Sequence, residues 1–463
     1  MARLPVRGQQ LSRTATLPAP RLPAEVAHIL ATLWANGHAG YVVGGGVRDW
    51  LLGRAQADWD IATDARPERL LELFPEGRYE NRFGTVTING VEATTFRRDH
   101  LYADHRRPDS VTFADDIRDD LARRDFTVNA IAWGRTAEAD AREDWVDPHA
   151  GLADLDARTL RAVGDPARRF DEDALRLLRA ARLAAQLDFE IEPGTNAAMA
   201  TTSELVRWVS PERVGGELRR MLAADPPSRG FAILAETRLL GALLPDLAAQ
   251  VSLPQDKITG HDLWQHTLAT LDASAGLSGT SARLRLAALL HDIGKPATFA
   301  DGRFLGHDRE GAHLAIDLLV RLAFPRRDVD QVGRLIRHHM FSYQQQWSNA
   351  AVRRFIRRIG ADLVDDQLRL RQADNIGSGL AADAGHVDEL RQRVARELAA
   401  GVPLRLADLA VDGHVLMAEL DLAPGPQVGR LLDRLLAAVI VDPALNTREQ
   451  LVGRARAVVA GSR

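Results

Sequence analysis

Cysteine is absent from all 463 residues, and with it go disulfide scaffolds, thiolate metal sites and cysteine nucleophiles. A thiol-free chain suits a reducing, cytoplasmic setting. Lysine is nearly absent as well: of 59 basic residues only Lys257 and Lys295 are lysines, and the rest are arginines. Aromatic residues make up only 5% of the chain, but 46% is hydrophobic, which excludes disorder throughout. No run approaches the ~18 apolar residues of a membrane-spanning helix, so no membrane partner is expected. A formal net charge of −4 excludes a uniformly basic, non-specific nucleic-acid binder and leaves a locally basic one open. The chain is long enough for roughly two to four domains.

Residues 1–24 carry Arg3, Arg7, Arg13 and Arg21, four prolines and no acid. They read as a flexible basic arm; an Arg-rich transit peptide would need an amphipathic pattern that is missing here. Val26, Leu30 and Leu33 space a helix over Ala24–Ala35. A β-rich stretch follows: YVVGGGV, DWDIAT, and the pair GTVTI and VEATTF joined by Asn89-Gly90. That dipeptide marks a hairpin, because both turn positions need positive φ. Beyond about residue 135 no strand is expected, only Ala/Leu/Arg helices with apolar residues at i, i+3, i+4 and i+7. Joints are expected at 224–229, 252–260 and near 401–403. The expected fold class is α+β: a small mixed-sheet head over 25–150, then an all-α body divided at 151–225, 226–400 and 401–463.

The head holds the most informative residues. A strand runs into Gly44-Gly45-Gly46 and then a helix, a turn whose bare backbone can approach a phosphate, with Arg48 on the first helical turn. Asp58 and Asp60 stand at i and i+2, so on a strand both carboxylates project to one face while Trp59 and Ile61 project to the other. Adjacent like charges are best tolerated beside a divalent cation, and hard oxygen ligands suit Mg²⁺, which also bridges nucleotide phosphates. Glu92, on the outgoing hairpin strand, is either a third acid near this metal or a solvated strand residue.

These residues carry a resemblance. GGGVRDWLLGR…DWDIAT is similar to the first motif of the class II tRNA nucleotidyltransferases and bacterial poly(A) polymerases, within the polymerase-β-like nucleotidyltransferase superfamily. RRDFTVNAIAW (Arg123 to Trp133) resembles the next motif, RFDEDALRLLRAARLA (Arg169 to Ala184) the EDxxRxxRxxR motif, and SPERVGGELRRML (Ser210 to Leu222) the helical motif that closes the core. The resemblance implies a polymerase-β-like head, Asp58 and Asp60 as catalytic Mg²⁺ ligands, and Asp173 and Arg176 as a protein template accepting CTP or ATP. It assigns Gly45, Arg48, Arg124, Arg179 and Arg182 to the same nucleotide pocket. The residues agree, since Asp173, Arg176, Arg179 and Arg182 at steps of three would share one drifting helix face, a carboxylate beside a ladder of forked donors. An amphipathic helix with ordinary ion pairs has the same pattern. Among the related activities, the FGT element in YENRFGTVTI and the long loop Phe96–Ile117 favour full CCA addition to tRNA. A-only addition and poly(A) synthesis are the alternatives.

Residues 261–374 hold His261, His266, His291, Asp292, His307, His313, His338, His339 and Asp374. The His-Asp doublet in LAALLHDIGKP resembles the HD phosphohydrolase superfamily. That resemblance implies a divalent metal (Mn, Ni or Fe, or Mg) on His266, His291, Asp292 and Asp374, with His313, His338 and His339 able to support a second. It makes 226–400 an HD-type domain and 401–463 a helical tail. A more distant alternative is an HD-type phosphohydrolase whose head only binds RNA. Residues 321–358 carry nine arginines against two aspartates. In RRFIRR, Arg353, Arg354, Arg357 and Arg358 would share a helix face, able to track phosphates or simply solvated.

Overall fold

The computed structural model describes residues 17–460 apart from 56–57, 82–83, 101–109, 139, 256 and 259. Most of the expected basic arm and the middle of the loop Phe96–Ile117 therefore lie outside the described residues. The chain divides into two compact units, 1–245 and 246–463.

In the first unit, seven strands form one mixed sheet in the order β3-β4-β5-β2-β1-β8-β9. They are β1 (Gly40–Val43), β2 (Asp60–Thr63), β3 (Arg78–Asn81), β4 (Thr85–Ile88), β5 (Val91–Thr95), β8 (Ala132–Arg135) and β9 (Asp144–Val146). Every residue of β1 is buried, as befits a central strand covered on both faces. One core packs Tyr41, Val43, Ala62, Phe96, Ile117, Leu121 and Ala132. Neighbouring strands are antiparallel except β2 and β5, which run parallel. The Asn89-Gly90 hairpin forms as expected, with φ of 49° and 85° at the two positions. Gly134 of β8 faces Tyr41 of β1 at a tight crossing: a Cβ there would overlap the Gly40 carbonyl oxygen.

Two expectations are corrected. Strands do occur beyond residue 135: β9 edges the main sheet, and short pairs form at Thr159–Leu160 with Glu190–Ile191 and at Phe299–Ala300 with Arg303–Phe304. Three-residue and two-residue strands are too short to show a period of two. The expected loop after Phe96 is also partly ordered, because β6 (Arg97–His100) and β7 (Ser110–Phe113) pair antiparallel. From Pro166 onward the unit is largely helical, and a buried stripe on Leu175–Leu187 (Leu177, Leu178, Ala181, Leu183, Ala184) packs it.

The second unit is helical. Its principal helices are Leu263–Gly276, Ala282–Leu290, His307–Arg321, Arg326–Arg337, Asn349–Ile359, Val364–Gly377 and Val387–Ala399, followed by a cluster near the C-terminus built on Leu416, Leu431, Leu435, Val439 and Leu451. Gly377 allows the close approach of two of these helices, since a Cβ there would run into Thr270. Among the described residues, no helix is long and apolar enough to cross a membrane.

Candidate functional site

Gly44 leaves β1 with φ 78°, a conformation open to glycine. A Cβ there would stand 3.1 Å from Arg124 Nη1 and 3.3 Å from Asp60 Oδ2, and one on Gly46 would come 2.5 Å from the Asp58 carbonyl oxygen. Only bare backbone lets this turn descend onto the two aspartates. Asp60 opens β2, whereas Asp58 lies just before the strand; Trp59 and Ile61 are buried, as alternation requires. The parallel register sets Glu92 of β5 opposite Asp60. Burial pushes the Asp60 carboxyl up, with Arg124 opposing and Asp58 assisting, and burial together with Asp60 does the same to Glu92. Crowded carboxylates of this kind are relieved by a hard divalent cation.

A cavity of about 290 Å³ opens among Asp58, Asp60, Gly45, Arg48, Arg124, Arg179 and Arg182, bringing together seven of the nine residues expected in the catalytic and nucleotide site. Its arginines are aimed by buried partners. Asp125 accepts from Arg179 Nε at 2.7 Å and from Asn129 Nδ2 at 3.0 Å, and Asn129 Oδ1 accepts from Arg48 Nη1 at 2.7 Å. Asp120 takes both Arg123 and Arg124, and Glu217 takes Arg182 at 2.5 Å. Burial alone would raise the Asp125 carboxyl, but Arg179 and Asn129 hold it well below the usual range. The sequence reading does not single out Asp120, Asp125, Asn129 or Glu217. Their signal was faint: acids and an amide standing among arginines inside otherwise apolar motifs. A larger cavity of about 470 Å³, bounded by Tyr41, Asp64, Asp116, Arg118 and Trp145, includes neither the glycine turn nor the aspartate pair among its lining residues.

Asp173 and Arg176 are placed differently from the expectation. The helix is broken: one segment ends at Glu172, the next begins at Leu175, and Asp173 between them is extended. Its carboxylate accepts from the Leu175 amide at 3.1 Å, the competition with backbone that Asp offers near helix starts. The other oxygen pairs with Arg213 at 2.9 Å. Arg176 is drawn to Glu172 at 2.8 Å and to the Arg123 carbonyl at 2.9 Å. Neither residue lines the 290 Å³ cavity.

In the second unit six side chains meet in a buried centre. His266, His291 and Asp374 form one triad, and Asp292, His307 and His339 a second. The four expected ligands are therefore together, and His339 joins them. His313 is exposed and His338 half-buried, and neither belongs to a triad; His307, at the start of its helix, takes their place. All four rings are anchored alike: Nδ1 donates to the carbonyls of Gly377, Ala288, Phe304 and Ile336, at 3.0, 2.8, 2.7 and 2.7 Å respectively. A carbonyl only accepts, so each Nδ1 carries a proton and each Nε2 is turned inward. Pairs of such nitrogens face one another, His266 and His291 at 3.2 Å, His307 and His339 at 3.3 Å. Against burial, the surrounding imidazoles with Lys295 and Lys257 hold Asp292 and Asp374 far below the usual carboxylate range. Convergent imidazole nitrogens and ionised carboxylates are the donor set of a divalent metal.

The arginine helix is less open than its sequence suggests. Arg353 pairs with Glu397 at 2.6 Å and donates to the Ile440 carbonyl, and Arg357 pairs with Asp433 at 2.9 Å. Arg354, Arg357 and Arg358 are exposed, Arg357 within its surface pair.

The chain matches family models described as "Poly A polymerase head domain" over residues 40–161, "Probable RNA and SrmB- binding site of polymerase A" over 188–251 and "HD domain" over 263–378. It is 32% identical over 434 residues to the CCA-adding enzyme of Streptococcus mutans, covering 92% of this chain and 95% of that protein. With the CCA-adding enzyme of Levilactobacillus brevis identity is 44% over 216 residues, 46% of this chain and 53% of that relative, so this match spans about half the relative's length. The crystal structure of the Bacillus stearothermophilus CCA-adding enzyme with CTP matches with a TM-score of 0.71 at 27% identity, covering 95% of this chain and 98% of that one. A Thermotoga maritima CCA-adding enzyme complexed with tRNA shares the fold, with a TM-score of 0.55 at 18% identity over 94% of each chain.

Proposed function

The chain belongs to the family of CCA-adding enzymes, and from that premise we propose that it adds C, C and A to tRNA 3′ ends from CTP and ATP, without a nucleic-acid template, in the cytoplasm. The observation that supports this most is the cavity in which the glycine turn, the aspartate pair and four aimed arginines meet. Asp58 and Asp60, with Glu92 in register beside them, suit Mg²⁺, which when bound supplies charge neutralisation of the triphosphate and polarisation of the attacking 3′-hydroxyl. Arg48, Arg124, Arg179 and Arg182 are proposed to hold the nucleotide, their forks fixed in advance by Asn129, Asp120, Asp125 and Glu217. Base selection is proposed for Asp173 and Arg176. To read a base edge, Asp173 has to exchange Arg213, and Arg176 has to exchange Glu172, for the nucleotide.

Three tRNA transcripts, ending before CCA, after C and after CC, incubated with each nucleotide separately, test this reading. Stepwise growth of all three supports it; extension of the CC-ended transcript alone turns it into A-addition, and long A tails into poly(A) synthesis.

A second reading concerns the buried centre. Four inward Nε2 atoms and two ionised carboxylates support a divalent cation (Mn, Ni or Fe) bound by residues drawn from His266, His291, Asp292, Asp374, His307 and His339. Such a centre is proposed to act as a metal-dependent phosphohydrolase on 2′,3′-cyclic phosphates or phosphate monoesters at RNA ends. The proposed division is a catalytic head at 25–150, a nucleotide-selecting neck at 151–225, an HD-type domain at 226–400 and a tail at 401–463. Arg354 and Arg358 are the proposed phosphate contacts for tRNA; Arg353 serves the packing of its own unit, and Arg357 is held in a surface pair with Asp433.

A further inference from the structure

The only two lysines of the chain converge on one place. Lys257 Nζ lies 2.9 Å from Asp374 Oδ1 and 3.1 Å from His266 Nε2, two of the three donors in the first triad. Lys295 Nζ lies 2.6 Å from Asp292 Oδ2, the oxygen turned toward His266 and His291. Both ammonium groups thus bear on the first-triad side of the centre. An ammonium is a compact cation with three donors, and it satisfies the same imidazole and carboxylate lone pairs that a metal would take.

The donors of the first triad stand 3.2, 3.3 and 3.9 Å apart, and those of the second are spaced alike, but Lys257 contacts the first through His266 and Asp374. Asp292 Oδ1 faces His307 Nε2 at 3.5 Å and His339 Nε2 at 3.6 Å, with the two rings 3.3 Å apart. Ligands on bonds of ~2.1 Å in a tetrahedral shell stand about 3.4 Å from one another. The three donors are therefore spaced for one ion, and their Nδ1 anchors fix the two rings from behind.

We propose that Lys257 stands in for a metal in the first triad, and that this chain holds one divalent cation, at Asp292, His307 and His339. This rests on reading the centre as a metal site, and it narrows the ligand set from six residues to three.

Ni²⁺ uptake by the full-length protein tests it, counted after equilibrium dialysis in a D58A/D60A background so that the head adds no cation of its own. One equivalent is expected. Lys257→Met is expected to raise this to two, His307→Ala to reduce it to none, and His266→Ala to leave it at one. Acetylation by an amine-reactive ester, read by mass spectrometry at Lys257, is expected to be the same with and without Ni²⁺, because the lysine stays in place. Two equivalents in the parent protein, with Lys257 becoming more reactive as metal binds, would overturn the proposal while leaving the metal-site reading standing. Loss of the single ion in His266→Ala but not in His307→Ala would overturn it too. No uptake by any variant would remove both. Should Lys257→Met fail to fold by circular dichroism, the contrast between His266→Ala and His307→Ala decides.

Discussion

At the residue scale, the chemistry of the head rests on acids whose surroundings differ. Asp58 and Asp60 crowd each other beneath a glycine turn, and replacing either by alanine is expected to lower nucleotide addition at least about 10³-fold while the melting curve stays intact. Folded variants that still incorporate labelled CTP would contradict this. Asp120 is fully buried with Arg123 and Arg124 on its two oxygens. Burial pushes its carboxyl up, but the two guanidiniums outweigh that and hold it below the usual range. Its contribution is therefore full above about pH 4, the unfolded value, and fades as the pH falls toward the folded one. Asp120→Asn is expected to cost about 3–5 kcal/mol at neutral pH, and the gap to wild type in thermal denaturation is expected to narrow below pH 4. A gap that holds constant down to pH 2 would refute this account. The acids proposed to hold Mg²⁺ were legible because that chemistry requires them in a pattern. Asp120, Asp125 and Glu217 were not, because their work is to aim arginines that only the fold brings near.

At the element scale, period and turn chemistry read well where segments are long. The helix over Ala24–Ala35 and the Asn89-Gly90 hairpin follow from local sequence alone. The break at Asp173 does not, since a helical pattern runs across it unbroken and only the pull of Arg213 and the Leu175 amide shows where it parts. Gly134 looks like an ordinary strand glycine, yet its lack of a Cβ is what lets β8 lie against β1; Gly134→Ala is expected to destabilise the head by at least about 2 kcal/mol in urea titration. The arginine helix gives a paired expectation. Arg354→Ala with Arg358→Ala is expected to weaken tRNA binding and to flatten its dependence on the logarithm of salt concentration by about two, with stability unchanged. Arg353→Ala is expected to do the reverse, because its partner Glu397 is left buried without its cation. Equal salt slopes for the two proteins would count against the division of roles.

At the scale of the whole molecule, net charge misleads, since −4 conceals a basic stretch, an acid pair and a buried centre. The two units carry their chemistry separately. His291→Ala is expected to leave CCA addition within about twofold of wild type, and Asp58→Ala to leave Ni²⁺ uptake by the buried centre untouched; a large fall in either would show that one centre depends on the other. The α+β division and the four motifs of the first unit were legible because each motif is contiguous. The buried centre was legible in part, its doublet being contiguous, while His307 and Lys257 are selected only when five helices close around them. The anchoring of all four imidazoles by main-chain carbonyls has an evolutionary corollary. The bond behind each ring has no side-chain partner to mutate, so substitutions elsewhere in the sequence leave the Nδ1 anchors in place. The direct way to unmake such a centre is therefore to replace one of its inward-facing side chains.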